Sequence, residues 1–546
     1  MKKITCFLFL FLFIGNSIFA QEKSIKNVIV MIPDGTSLSA LSAARWFQRY
    51  NHPEITKLNI DPYLCGTILT YSSNAPIGDS APTTSCYMTG YPSRAGWVST
   101  YPTADSNPNN DILPVDTSKA YQPLMTVMEA ARITRNKALG LVVTCEFPHA
   151  TPADCMAHSY SRSKYEWLAP QMVHNGIDVV IGGGVSILKP EMKAFLEKEG
   201  YGVFLNDITH FQNYKGNKMW ALFKDTDMSY DIDRNPAEEP SLAEMTQKAI
   251  EKLSQDEDGF VLMVEGSKID WAAHANDAAA IISDMLSFDK ACGVAFDFAE
   301  KNGETLVIVV PDHGNSGFSI GSNKCPQYST LTKDELFGPI SKFKTSADGL
   351  VRRLQQTEAS KLKEVVLELT GIELSDREYQ QLLECADYNR SSLTNEERMK
   401  GSKLTKTAAQ ILDSHTCFGF TTGGHTGEEV FLAVLDPTSN RMTGHHTNIE
   451  LNQYLRQSLG LQQSLESLTD EYFAKHTRVF NGYTYTITTQ ENVPVLEVKN
   501  KKNKLVIRPN TNIVLINGQE HALNSVVVYV DKNNTFYLPQ SLRKLL

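Results

Sequence analysis

Basic residues are in deficit across these 546 residues: 52 Lys and Arg stand against 62 Asp and Glu, leaving a formal net charge of −10. A chain without a basic excess has no field to hold a polyanion, which excludes nucleic acid as its principal partner. Long apolar runs are missing as well. Beyond residues 1–20 no stretch is apolar enough to span a bilayer, so no membrane-crossing segment is expected. None of the nine cysteines falls in a CxxC pair, and a chain this long does not need disulfide staples to fold. Internal repeats and low-complexity segments are absent. With 42% hydrophobic and 21% charged residues the composition is that of a globular protein with a large core, which sets disorder aside.

What is present begins with Met1-Lys2-Lys3, an apolar stretch from Ile4 to Ile14, and Ser17-Ile18-Phe19-Ala20 ahead of polar Gln21. This is the pattern of a cleavable secretory signal over residues 1–20. It predicts an exported mature protein, periplasmic or extracellular. Cys6 lies at the start of the apolar stretch and does not fit a lipid-anchor cysteine. An oxidising compartment permits bridges among the other eight cysteines without indicating which.

Short β-branched runs alternate with helical patterns over most of the chain, which predicts an α/β fold: a central, largely parallel sheet flanked by helices, spanning residues 21–474. The clearest strands are Asn27 to Ile32, Ala138 to Thr144, Ile177 to Ile181, Gly259 to Val264, Thr305 to Val310 and Val430 to Leu435. Between about 319 and 420 charged amphipathic stretches such as Ser360 to Leu369 and Asp376 to Glu384 replace that rhythm, predicting an inserted helical cap. Packing or oligomer contact is its expected role. From 475 to 546 alternating Tyr, Thr, Val and Ile, punctuated by Asn481-Gly482, Asn517-Gly518 and Asn533-Asn534, predict a small β-rich C-terminal domain.

Several strands run directly into polar residues, and ligands of open α/β sheets gather at strand carboxyl ends. Asp34 closely follows the first strand; by itself it would be a turn or cap residue. Ser80 stands just ahead of a helix with Pro82 in its first turn, where backbone N–H groups favour a phosphoryl group, although on this segment alone a capping role for Ser80 or Asp79 is the better reading. His149, Thr151 and Arg162 share one strand-loop-helix unit, and Arg grips phosphate oxygens bidentately. The sharpest signal is a strand ending in Glu265 followed by Asp270 and His274, four apart on one helix face, as a zinc site requires. Asp312-His313 ends another strand, and His425 precedes the next. Of the 13 histidines, His149, His274, His313 and His425 alone carry such a context here, while His52, His210 and His476 read as structural.

Taken together and in this order, the segments around Asp34, Asp79-Ser80-Ala81, His149-Ala150-Thr151-Pro152-Ala153, Arg162, Glu265 to His274, Asp312-His313 and His425-Thr426-Gly427 resemble the alkaline phosphatase family. The resemblance implies hydrolysis of small phosphate monoesters through a phosphoserine at Ser80, with Arg162 holding the phosphoryl oxygens. It further implies two zinc ions, one on Asp270, His274 and His425 and the other on Asp34, Asp312, His313 and Ser80. A third site, usually magnesium, would use Thr151, Glu265 and shared Asp34. His149 stands where many bacterial members carry Asp; an imidazole there should weaken magnesium preference and admit zinc or cobalt. A homodimer is compatible with the family. A phosphodiesterase of the same superfamily is the alternative, but diesterases usually dispense with the third site. A formylglycine sulfatase would need an Arg that Ser80-Ala81-Pro82-Thr83-Thr84 lacks. A non-catalytic relative would have lost ligands, and none is missing.

Overall fold

The structure, a computed structural model, describes residues 24–386 and 395–546. The expected export signal over residues 1–20 lies outside them. Among the described residues fourteen strands precede the C-terminal region: β1 Asn27–Ile32, β2 Leu64–Leu69, β3 Ala138–Glu146, β4 Val179–Gly183, β5 Gly202–Leu205, β6 Met219–Leu222, β7 Phe260–Glu265, β8 Thr305–Val309, β9 Gly314–Asn315, β10 Ser319–Ile320, β11 Phe418–Gly419, β12 His425–Thr426, β13 Val430–Leu435 and β14 Gly444–Thr447. Ten of them form one sheet in the order β14-β2-β13-β8-β1-β7-β3-β4-β6-β5.

Within this sheet β13 alone runs against its neighbours β8 and β2; every other pairing is parallel. The central strands are buried along their whole length, NVIVMI in β1 and FVLMVE in β7, as a sheet covered on both faces requires. Two apolar layers form its cover. One contains the 25-residue helix Ala278–Asn302 with Leu262, Val264, Phe288 and Phe296. The other packs Val28, Val30, Leu141, Met263 and Ile308 against Tyr87, Met128 and Met172.

The reversed strand has a consequence for function. Because β13 is antiparallel, its amino end lies on the edge where the parallel strands have their carboxyl ends, so β12 is delivered beside the segments that leave β1, β7 and β8.

The insertion opens and closes on the antiparallel pair β10 and β11. Cys325 and Cys417, 92 residues apart, form a disulfide just inside that pair, a link that the cysteine spacing did not reveal. Between them lie the helices Lys333–Phe337, Ala347–Leu354, Leu362–Thr370, Asp376–Ala386 and Asn395–Ser414. Leu350, Leu354, Leu362, Val366, Leu404 and Leu412 are buried where these helices pack.

Beyond Phe473 the chain forms two antiparallel sheets. A five-stranded meander runs β16 Thr484–Gln490, β17 Val493–Lys499, β18 Lys504–Ile507, β19 Ile513–Ile516 and β20 Gln519–Ala522; a three-stranded sheet joins β15 Ala474–Lys475, β22 Thr535–Leu538 and β21 Val528–Val530. Asn517 and Gly518 both have positive φ, the backbone that a two-residue hairpin turn demands. Leu496, Val498, Leu505, Ile507 and Phe536 give these sheets an apolar core of their own. Among the described residues no helix is long and apolar enough to cross a membrane.

Candidate active site

Most of the eleven residues singled out in the sequence lie where strands end or helices begin. Asp34 leaves β1, Glu265 ends β7, and Asp312 and His313 follow β8. Ser80 opens the helix Ser80–Thr89 and is 1% exposed. His149 occupies the N-cap position of the helix Ala150–Met156, in which Thr151 is buried. Asp270 and His274 share one face of the helix Lys268–Ala275, and His425 lies in β12.

Ser80 is in close company. Its Oγ lies 3.5 Å from both carboxylate oxygens of Asp34 and 3.3 Å from Nε2 of His313. The same Nε2 lies 3.5 Å from Asp34 Oδ1 and 3.6 Å from Asp312 Oδ2, while Nδ1 of His313 faces the Gly314 carbonyl at 3.1 Å. A ring that donates from Nδ1 to a carbonyl presents a lone pair at Nε2.

A second group converges beside it. Nδ1 of His274 faces the Gly423 carbonyl at 2.9 Å, and Nδ1 of His425 faces the Gly78 carbonyl at 2.8 Å. Their two Nε2 atoms are then 3.1 Å apart, with Asp270 at 3.4 Å from one and 3.9 Å from the other. Two neutral imidazoles oriented in this way aim lone pairs at each other, and a cation between them resolves the conflict. Asn315 holds Asp270 in place, donating to its Oδ1 at 2.7 Å and its carbonyl at 3.2 Å.

Cys145, His149 and Glu265 form a third group whose donor atoms lie within 4.8 Å of one another. Here the unpaired buried atoms accumulate: Thr151 Oγ1, Glu265 Oε1 and His149 Nδ1 find no hydrogen-bond partner among the described residues, and neither does the nearby Asp312 Oδ2. Buried polar atoms in folded proteins are rarely left so.

The electrostatics point the same way. Burial, then the charges of Asp312, Asp270 and Glu265, hold the Asp34 carboxyl well above the usual carboxylate range. Burial and Asp312 push Glu265 up to about 8, and burial also raises Asp312. Burial, followed by the charge of His425, lowers His313 to about 4. These carboxyl and imidazole donors have too little fixed positive charge among them to favour ionised carboxylates, a set that fits divalent cations.

The comparisons with known proteins identify the family. The family model described as alkaline phosphatase matches residues 25–461. The chain belongs to the alkaline phosphatase family. Alkaline phosphatase 3 of Bacillus subtilis is 32% identical over 451 residues, covering 79% of this chain and 90% of that relative. The crystal structure of a cold-active alkaline phosphatase from a psychrophilic Shewanella sp. superposes with a TM-score of 0.67 at 27% identity, over 80% of this chain and all of that one. For the Thermus thermophilus alkaline phosphatase the TM-score is 0.69 at 25% identity, over 84% and 97% of the two chains.

Against this alkaline phosphatase frame, three residues of the site stand out that motif reading passed over or misjudged. Asp79 occupies the N-cap position ahead of Ser80, yet its side chain makes no capping hydrogen bond. It accepts instead from the Arg162 guanidinium at 2.6 Å and from Gly96 N–H at 2.8 Å. Burial alone would raise Asp79, but Arg162, His313, the Gly96 N–H and His425 together outweigh it and the carboxyl is lowered. Asn315, the clamp on Asp270, carries no motif. Cys145 contacts Glu265 through its sulfur. Arg162 itself also approaches His149 Nε2 at 3.0 Å.

Proposed function

We infer that this protein hydrolyses phosphate monoesters, with Ser80 as the nucleophile and Arg162 as the anchor of the phosphoryl group. The observation that carries the reading is the position of Ser80 Oγ. It belongs to the first residue of a helix, between Asp34 and His313, within a buried cluster of carboxylates and imidazoles. A helix N-terminus directs backbone N–H groups and partial positive charge toward a phosphoryl oxygen.

Asp270, His274 and His425 would hold one zinc ion; Asp34, Asp312 and His313, joined by Ser80, would hold the other; Thr151 and Glu265, with Asp34 shared, would hold a third cation, and His149 stands beside it. When bound, such ions supply charge that stabilises the Ser80 alkoxide and the departing oxygen. Ser80 attacks phosphorus in line, its proton leaves toward solvent, and a phosphoseryl bond forms as the ester oxygen departs. Water then displaces Ser80 from phosphorus by the reverse geometry and releases inorganic phosphate. Arg162 offers five N–H donors in a fixed fork; two are engaged here, by Asp79 and His149, and others remain for phosphoryl oxygens. Asp79 sets the direction of that fork.

On the same reading the chain acts after export, residues 319–420 serve as a helical cap, and residues 475–546 form an accessory β-rich domain. A site that grips mainly the phosphoryl group accepts many leaving groups, which favours phosphate scavenging over one dedicated substrate.

The test is hydrolysis of an aryl phosphate monoester and of the matching diester by the purified mature protein across pH, before and after chelation and metal return, with Ser80→Ala beside it. Alkaline, chelator-sensitive monoesterase activity that collapses in Ser80→Ala is expected. A preference for the diester would move the assignment to the phosphodiesterase branch.

A further inference from the structure

The third group contains a donor that the proposed assignment leaves unused. Cys145 lies near the end of β3, fully buried, with its Sγ 3.5 Å from Oε2 of Glu265. Its backbone is fixed: the N–H groups of Thr144 and Cys145 both donate to Ser267 Oγ, at 3.3 and 3.1 Å. Ser267 sits two residues past Glu265, so the strand carrying the thiol and the strand carrying the carboxylate are tied together at this point.

Geometry separates Cys145 from the other buried thiols. Cys155, for instance, directs its sulfur to the Thr151 carbonyl one helical turn back, an ordinary intrahelical contact. Among the described free cysteines Cys145 alone has its sulfur within hydrogen-bond reach of a carboxylate, and the other oxygen of that carboxylate, Glu265 Oε1, is one of the partnerless buried atoms, as are Thr151 Oγ1 and His149 Nδ1. Sulfur, imidazole and carboxylate donors all lie within 4.8 Å of one another. The sulfur–oxygen distance is informative as well. Two ligands on one tetrahedral cation, a thiolate at about 2.3 Å and a carboxylate oxygen at about 2.1 Å, are separated by about 3.6 Å. The observed 3.5 Å needs almost no movement to become that pair.

We propose that the third cation of this chain is bound through the Cys145 thiolate together with Glu265, in a mixed sulfur, nitrogen and oxygen site that prefers zinc or cobalt to magnesium. The inference rests on the three-cation reading above and specifies its third member. On binding, the S–H bond breaks, its proton leaves to solvent, and sulfur donates a lone pair to the cation; no oxidant or reductant takes part. Magnesium, a hard ion that seeks octahedral oxygen ligands, gains little from such a sulfur, whereas cobalt and zinc bind it well.

The experiment is a Co2+ titration of the metal-stripped, full-length mature protein, read by metal analysis and by absorption, with Cys145→Ser and Cys145→Ala in parallel. Three equivalents bound, with a near-ultraviolet sulfur-to-cobalt charge-transfer band that belongs to one equivalent and vanishes in both variants, are expected. Loss of the thiolate should weaken that one equivalent by at least about tenfold, the lower end of what even an outer partner's removal costs, while Mg2+ affinity changes much less. X-ray absorption of the zinc-loaded protein should place one sulfur at about 2.3 Å. Three equivalents without the band in the unaltered protein would overturn the Cys145 assignment and leave the third site standing, since Cys145 would then only orient Glu265 through S–H···O. A band that persists in the variants would overturn it too. Two equivalents at saturation would sink the three-cation reading itself. The band and the X-ray absorption of the unaltered protein decide whether sulfur ligates at all, whatever the variants do, and two different replacements, Cys145→Ser and Cys145→Ala, assign that sulfur to Cys145.

Discussion

Opening the Cys325–Cys417 bridge should loosen the helical insertion while leaving the central sheet intact. The bridge closes a loop across a separation of 92 residues. In the chain-entropy account a link of that span removes unfolded-state freedom worth about 4–5 kcal/mol at 25 °C, and measured losses on removing native bridges fall at about 2–5 kcal/mol. The insertion is otherwise held by the short β10–β11 pair and by apolar side chains such as Leu350, Leu362 and Leu404, so the loss should be felt there first. Tryptophan fluorescence would miss it, because all five Trp, at 46, 97, 167, 220 and 271, lie outside residues 319–420. Hydrogen exchange resolved by peptide is the suitable assay, comparing the oxidised protein with Cys325→Ser and Cys417→Ser. A local loss of about 2–4 kcal/mol corresponds to a drop in protection of roughly thirty- to a thousandfold over Leu362–Thr370 and Asn395–Ser414, with β1 and β7 unchanged. Unchanged protection in the insertion, with the loss of the bridge verified by mass, would refute the reasoning.

Gly35→Ala should be damaging out of proportion to its size: Gly35 has φ +60° and a Cβ there would stand 2.3 Å from Asp270 Oδ1. The backbone cost is about 1–2 kcal/mol and displacement of Asp270 should lower kcat/KM roughly a hundredfold; denaturation midpoints and steady-state kinetics check both. The chelator-treated protein should lose stability as pH rises from 5 to 9. Glu265 is pushed up to about 8, and Asp34 and Asp312 are raised with it, so the folded state retains protons that the unfolded state releases. That stability is full below the unfolded carboxylate pKa of about 4.5 and is lost through about 8; a melting temperature that climbed over this window would contradict the argument. His149→Asp should raise Mg2+ affinity at the third site by replacing an imidazole with a hard oxygen donor, and an unchanged Mg2+ titration of metal-stripped protein would count against it.

Much of the site was legible because its residues sit at boundaries, where a change of period marks both an element's end and an exposed functional position. The strands Asn27–Ile32 and Val430–Leu435 have the limits their apolar runs suggested. The edge strands were harder. Gly444–Thr447 is short, polar and half exposed, and nothing in its composition distinguishes it from a loop; it is a strand because β2 pairs with it. β2 itself, LCGTIL, interrupts its apolar run with Gly66, whose bare Cα lets the Gly444 carbonyl approach. The reversal of β13 was not readable either, since direction is set by connections and not by the residues of the strand. Asp79 was misjudged for a different reason. An Asp before a helix caps it in most contexts, and only the long-range arrival of Arg162 gives this carboxylate another partner.

The charge inventory explains why such a cluster persists in a folded protein. Asp34, Glu265, Asp270 and Asp312 are all buried, and carboxylates placed together in a low-dielectric interior repel and lose hydration. Two fixed cations of this region are already committed: Arg162 to Asp79, and Lys268 to Asp227. The fold therefore places four carboxyl groups together and withholds the matching positive charges, so Asp34, Glu265 and Asp312 hold on to their protons and only a bound partner of opposite charge makes their ionisation favourable. On the proposed reading two divalent ions balance the four carboxylates, and a third leaves the pocket net positive even with the Cys145 thiolate counted and Arg162 set against Asp79. A phosphate monoester dianion then enters a site whose charge is complementary to it, and Ser80 is deprotonated where an alkoxide is most stabilised. The instability stored in the carboxylate cluster and the attraction for the phosphoryl group are thus two consequences of the same imbalance. Neutralising one carboxylate, as in Asp312→Asn, should stabilise the metal-free protein and weaken the active one, opposite effects that denaturation and kinetics on a single variant would reveal together.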